Sequence, residues 1–236
     1  YESMMNKLKV SFEQQQQFMA DASHELRTPI QVVEGHLALL NRWGKSDPKI
    51  LDESLQTSLA ETTKMKQLID EMLELARGQQ LKEYPPINIK LETDEVIGEM
   101  VQLFPGANIQ HADFELKALQ VRISPNSYQQ IMRNILTNAI RYSKEPAKIT
   151  ISYETNSEEV MVHVKDEGIG MTKEQLPQIF NRFYRVESAR SRDSGGSGLG
   201  LSIVKMLVEN VQGNVIVKSE EGVGTTFTVI FPLARN

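Results

Sequence analysis

Residues 18–29 read Phe18-Met19-Ala20-Asp21-Ala22-Ser23-His24-Glu25-Leu26-Arg27-Thr28-Pro29. Small or apolar positions before this stretch (Met5, Leu8, Phe12, Gln15, Met19) and after it (Ile30, Val33, Leu37, Leu40) recur by alternating steps of three and four. That is a heptad seam, and a helix of this length with so narrow a stripe packs in a coiled coil or helical bundle. Between them, Ala22, Leu26 and Ile30 follow by two successive steps of four, a stutter that unwinds a supercoil locally. Pro29 lies in the same stretch; it removes a backbone donor and crowds the preceding turn, so a kink is expected where the packing period changes.

Working outward, Trp43, Gly44, Lys45, Ser46, Asp47 and Pro48 read as a helix stop and turn, with Asp47 as a cap and Pro48 in the first helical position. A second helix follows, striped by Leu51, Leu55, Leu59, Thr62, Met65, Ile69, Met72 and Ala76 and ending near Gly78. Two helices cannot bury a seam on each member alone, so the expectation is a homodimer forming a four-helix bundle. After Tyr84, Pro85 and Pro86 the pattern changes. Residues 87–91, 120–123, 148–153, 160–165, 214–218 and 225–231 are β-like, while 128–142 and 200–211 have helical spacing. This mixture predicts an α/β sandwich, one mixed sheet covered on one face by helices. The expected organisation is a helical hairpin over 1–82, a hinge over 83–86 and the sandwich over 87–236, an α+β multidomain chain.

Composition narrows the function. Of 236 residues, 40% are hydrophobic and 24% charged, which argues against disorder. A net charge of −5 argues against a nucleic-acid partner, because neutralising phosphates takes a clustered basic surface. Without cysteine there is no disulfide, thiolate nucleophile or Cys-ligated metal, and four scattered histidines do not suggest a zinc site. There is no apolar run of spanning length and no signal-like stretch near Tyr1; the chain enters helical periodicity without a starting Met, so an upstream portion of the native protein is expected.

Three segments of the second domain suit a nucleotide. Asp166-Glu167-Gly168-Ile169-Gly170 follows a predicted strand; its glycines let backbone approach a flat ligand, and its carboxylate can accept from an exocyclic amine. Gly195-Gly196-Ser197-Gly198-Leu199-Gly200-Leu201 precedes a helix and exposes amides at the positive end of its dipole. It matches neither a Walker loop nor the usual dinucleotide fingerprint. Ahead of it, Arg182 and Arg185 interleave with Phe180, Phe183 and Tyr184, while Arg190 and Arg192 read as a solvated loop. On the helix at 128–142, Asn134, Asn138 and Arg141 share one face at i, i+4 and i+7. An amide oxygen is a weak hard-cation ligand, suited to Mg²⁺ held mainly by phosphates and water.

In this order and spacing the segments resemble the ATP-binding domain shared by sensor histidine kinases, gyrase, Hsp90 and MutL. The resemblance covers about residues 87–233 and implies an ATP–Mg²⁺ site. Asp166 would bind the adenine amine, Gly168 and Gly170 would shape the pocket floor, and Tyr142 would line it. Asn138 would coordinate Mg²⁺, with Asn134 and Arg141 supporting the phosphates. Arg185 and the backbone of Gly196, Gly198, Leu199 and Gly200 would close over them as a lid. The run from Gly222 to Phe227 looks like the family's last glycine element.

The stretch first quoted decides among these ATPases. His24-Glu25-Leu26-Arg27-Thr28-Pro29 resembles the phosphoacceptor box of histidine kinases. The resemblance implies that His24 takes the phosphoryl group, that Glu25 holds the proton of the other ring nitrogen, and that Thr28 orients water for dephosphorylation of a response regulator. His36, His111 and His163 match no motif. Two departures stand out: Arg141 replaces the family's usual Lys, binding phosphate as a fork and not a point charge, and Ser124-Pro125-Asn126 replaces a common Asp-Pro-Asp, which bears on a cap contact. Residues 35–45 look like a Gram-positive OmpR-type sensor subgroup.

The whole resembles the cytoplasmic portion of a two-component sensor histidine kinase, with ATP and Mg²⁺ as cofactors and a response regulator receiver domain as partner. Family architecture implies anchoring in the cell membrane through an upstream region. The competing readings are a dimeric ATPase without His transfer and a nucleotide-binding coiled-coil scaffold; the intact His24 box opposes the first, and intact Asn138, Asp166 and glycine loops oppose the second.

Overall fold

A computed structural model describes residues 2–44, 46–78, 83–113, 119–186 and 196–234. The chain divides into two compact units, the first ending at Ala76 and the second beginning at Arg77.

The first unit is a hairpin of α1 (Glu2–Trp43) and α2 (Pro48–Arg77). Asp47 caps α2 as its sequence suggests: Oδ1 accepts from the amides of Lys49 at 2.9 Å and Ile50 at 3.3 Å. Gly78, at φ +63°, ends it in the left-handed conformation that glycine adopts most readily. Pro29 lies inside α1. Its missing N–H is the one that would have bonded the Glu25 carbonyl, next to His24. Ala22, Ser54, Leu68 and Leu75 are buried in the hairpin, and His36 Nδ1 meets Ser54 Oγ at 3.2 Å. The α2 stripe read from sequence does not seal this contact. Leu55 is 51% exposed and Leu59 70% exposed within one chain, so an apolar face is left over after the hairpin has closed.

The second unit is the expected α/β sandwich. Its elements are β1 (Pro86–Asn88), α3 (Ile89–Leu103), β2 (Asn108–His111), β3 (Gln120–Arg122), α4 (Pro125–Tyr142), β4 (Lys148–Thr155), β5 (Glu159–Asp166), α5 (Gly200–Glu209), β6 (Asn214–Glu220) and β7 (Gly224–Pro232). A five-stranded sheet runs β2-β4-β5-β7-β6, parallel between β2 and β4 and antiparallel elsewhere; β1 and β3 form a separate ribbon. Alternation sets its two faces. On β5, Val160, Val162, Val164 and Asp166 are buried, whereas Met161, His163 and Lys165 point the other way. Ile131, Ile135 and Leu136 of α4, Ile203 and Val204 of α5, and Val96 and Met100 of α3 are likewise buried, giving the core its helical layer.

Residues 87–91, expected as a strand, are corrected by the structure: extension stops at Asn88, whose Oδ1 accepts from Lys90 N at 3.0 Å and Leu91 N at 3.4 Å and starts α3. Ile89, Thr93, Val96 and Met100, spaced four, three and four, form its buried face. The four-residue strand β2 was also not foreseen.

Candidate functional site

β5 delivers Asp166 to the end of the sheet's buried face, where the residue is 5% exposed. Its Oδ1 accepts from Gly168 N at 2.9 Å and from Thr225 N at 3.2 Å. Burial pushes its carboxyl pKa up and these two bonds pull it partly back. Both bonds fall on one oxygen, which leaves Oδ2 for a ligand donor. The following loop is stitched to its surroundings: Ile169 N donates to Tyr142 O at 3.0 Å, Gly222 N to Ile169 O at 2.7 Å, and Met171 N to Ser219 Oγ at 2.9 Å. A side chain on Gly168 would strike the Tyr142 carbonyl, and one on Gly170 the Glu220 carbonyl, with Gly170 also at φ +63°. These glycines are dictated by close approach of backbone on both sides.

The opposite wall is α4. Ser124 caps it, accepting from Ser127 N at 3.1 Å, so the departure from the family's Asp at that position retains a cap. The helix buries Tyr128, Ile131, Met132, Ile135, Leu136 and Ala139, which turns the half-buried Asn134, Asn138 and Arg141 to its other face. That face meets the second glycine loop. A β-carbon on Gly196 would lie 2.5 Å from Arg141 Nη1, and one on Gly200 would lie 2.9 Å from Asn134 Oδ1. Gly200 opens α5, whose N-cap Leu199 supplies no side-chain hydrogen bond. Leu199 N is taken by Ser197 Oγ at 3.1 Å, while the first-turn amides beyond it lack intrahelical acceptors, as at any helix start.

Phe183 N donates to Gly198 O at 2.9 Å, pinning together two points that flank residues 187–195. Arg190, Arg192 and Gly195 lie outside the described residues. Arg185 Nε is buried and has no hydrogen-bond partner among the described residues. A buried guanidinium donor without a partner among the described residues suits an anion. The residues can therefore serve a nucleotide, with the Asp166 carboxylate as acceptor for a base and the helix-start amides and Arg141 as donors for phosphates. Among the described residues no three His, Asp or Glu side chains cluster to hold a metal, so a Mg²⁺ here would rest on phosphate oxygens with Asn138 as protein ligand.

His24 is exposed on α1 of the first unit, with Glu25 half-buried and Thr28 exposed one turn on. The other histidines are engaged: His36 with Ser54, His163 with Thr228 at 2.9 Å, and His111 with Asp94 at 2.7 Å and Tyr153 at 2.6 Å. The Thr225 amide, a donor to Asp166, is a part of the site that the motifs alone did not single out; Thr225 sits in the glycine element at 222–227, the one available signal for it.

Residues 14–81 match the His kinase A (phospho-acceptor) domain, and residues 123–235 match the histidine kinase-, DNA gyrase B- and HSP90-like ATPase. A phosphoacceptor hairpin followed by this ATPase defines the sensor histidine kinases, and the chain belongs to that family. It is 39% identical over 234 residues to the signal transduction histidine-protein kinase ArlS of Staphylococcus aureus (strain USA300), covering 98% of this chain and 52% of ArlS. The chain thus spans about half the length of the curated relatives it matches. Among solved structures, histidine kinase ThkA in complex with response regulator protein TrrA shares the fold at TM-score 0.73 and 20% identity, over 97% of this chain and 66% of that one. Acinetobacter baumannii histidine kinase AdeS does so at TM-score 0.64 and 21% identity, over 90% and 98%. Among the described residues no helix is long and apolar enough to cross a membrane.

Proposed function

We propose that this chain is the catalytic portion of an OmpR-type sensor histidine kinase that phosphorylates His24 from Mg–ATP and passes the phosphoryl group to an Asp of a response regulator. The observation that carries the reading is the pairing, on one chain, of an exposed His24 in its phosphoacceptor box with a pocket whose buried Asp166 keeps one carboxylate oxygen open. ATP supplies the transferable phosphoryl group and Mg²⁺ offsets charge on its oxygens. Asp166 accepts from the adenine amine. Asn134, Arg141, Arg185 and the amides of Gly196, Gly198, Leu199 and Gly200 hold the phosphates, and Tyr142 lines the base. The lone pair of one His24 ring nitrogen forms the new N–P bond as the bond to the bridging oxygen breaks and ADP leaves with that electron pair. Glu25 holds the proton on the other nitrogen.

Because acceptor and nucleotide belong to separate units, transfer calls for relative motion, and we place the hinge at residues 83–86. The chain works as a homodimer through its left-over apolar hairpin face, and an upstream region anchors the native protein in the cell membrane. The fold shared with a kinase solved together with its regulator supports the partner class. Mixing the labelled protein with a panel of receiver domains tests the second step. Rapid migration of label from His24 to one receiver, lost when that receiver's acceptor Asp is changed to Asn, is expected; label that stays on His24 against every receiver would remove phosphotransfer from the account.

A further inference from the structure

Ser219, near the end of the edge strand β6, stands opposite Thr225 of β7 in an antiparallel pair. Its hydroxyl meets three groups. Oγ accepts from Met171 N at 2.9 Å, donates to Gly224 O at 3.1 Å and lies 2.8 Å from Thr225 Oγ1. A serine hydroxyl has one proton and two lone pairs. With that proton on the Gly224 carbonyl, the Thr225 hydroxyl is the donor, and the capacity of Ser219 is filled. Each partner borders Asp166. Met171 follows Gly170 in the loop after β5, while Gly224 and Thr225 open β7, and the Thr225 amide donates to Asp166 Oδ1 at 3.2 Å. Backbone packs closely on both sides of this junction: a β-carbon on Gly170 would strike the Glu220 carbonyl, and one on Gly224, at φ +143°, the Asp166 carbonyl. Ser219 is the side chain that ties these two backbone segments together.

We infer that Ser219 is a positioning residue of the nucleotide site, joining the loop after β5 to the start of β7 and so fixing the carboxylate of Asp166 against its amide donors. It acts through Met171, Gly224 and Thr225, not by contact with the nucleotide. The backbone bond from Gly222 N to Ile169 O, at 2.7 Å, survives its removal, so losing the hydroxyl loosens the site more than the fold. This inference rests on the nucleotide reading above.

Equilibrium binding of ATP and of ADP to the wild-type chain, Ser219→Ala and Ser219→Thr tests it, together with autophosphorylation at saturating ATP. Ser219→Ala is expected to bind both nucleotides more weakly by the same factor, about five- to tenfold, the worth of roughly one hydrogen bond. Its rate at saturating ATP should stay within about twofold of wild type, because binding is lost equally from ground and transition states. Ser219→Thr keeps the hydroxyl and should keep the affinity. A role in stability alone would lower the active fraction and leave the affinity of the folded molecules unchanged. Unchanged affinity in Ser219→Ala, a loss confined to ATP, or a Ser219→Thr variant as weakened as the alanine one would each overturn the inference. Ser219→Cys, similar in volume but a weaker hydrogen-bonding partner, carries the same comparison if the alanine variant does not fold. A wild-type chain that binds neither nucleotide would instead remove the nucleotide reading itself, so the two failures are distinguishable.

Discussion

Gly200 stands directly against Asn134: a methyl group on the first would lie 2.9 Å from Oδ1 of the second, and 3.4 Å from its Cγ. The atom that must yield is the tip of a short side chain on the half-buried polar face of α4, not backbone. Gly200→Ala should therefore leave the melting temperature close to wild type, since Ala also favours the first turn of α5. It should weaken ATP binding about tenfold or more by displacing Asn134 and narrowing the cradle. Calorimetric melting and ATP titration on the same sample check this; a variant that melts early and binds normally would show that the contact matters only for packing.

Asp166 is expected to oppose stability in the absence of ligand. Burial raises its folded carboxyl pKa above the ordinary 3.8, so the folded state holds the proton more tightly than the unfolded chain. The ionised group's cost is absent below that window and grows as pH rises from 3.8 through the raised folded value. Asp166→Asn keeps an oxygen for the Gly168 and Thr225 amides and removes the charge. Its melting temperature should exceed wild type at pH 7, with the gap closing towards the ordinary carboxylate range. ATP binding should fall by at least about a hundredfold, because an amide nitrogen would face the adenine amine. Equal melting profiles at every pH would contradict the account of this carboxylate.

Thr28 shares the exposed face of α1 with His24, one turn away. Thr28→Ala should keep autophosphorylation within about twofold while regulator dephosphorylation drops by an order of magnitude or more, in line with the loss of one positioned hydroxyl. Phosphate release from a phosphorylated receiver domain measures it, and full activity in the variant would remove the role assigned to Thr28.

Leu59 is 70% exposed and follows Leu55 and Leu51 along one face of α2. Burying such a side chain in a dimer is worth about 1.5–3 kcal/mol, and a charge there reverses the sign. Leu59→Glu should shift sedimentation from dimer to monomer at micromolar concentration without unfolding the hairpin, whose buried residues lie on another face. A variant that remains dimeric would place the interface elsewhere.

Much of this was legible in the residues themselves. The step pattern around Ala22, Leu26 and Ile30 announced a bundle helix, and the i, i+4, i+7 placement of Asn134, Asn138 and Arg141 put them on one face. Helix α3 was hidden because Ile87, Ile89 and Leu91 alternate like a strand, whereas the deciding feature is the Asn88 side chain turning back on its own backbone. Strand β2 carries one strongly apolar residue, Ile109, and its parallel pairing with β4 is a long-range event with no local signature.

The most direct test of the central claim is incubation of the chain with γ-labelled ATP and Mg²⁺ beside His24→Gln, followed by acid and alkali treatment of the label. The expected result is acid-labile, alkali-stable label on the wild type and none on His24→Gln. Label that persists in His24→Gln, or a wild-type chain that binds ATP yet takes up no label, would contradict phosphorylation at His24.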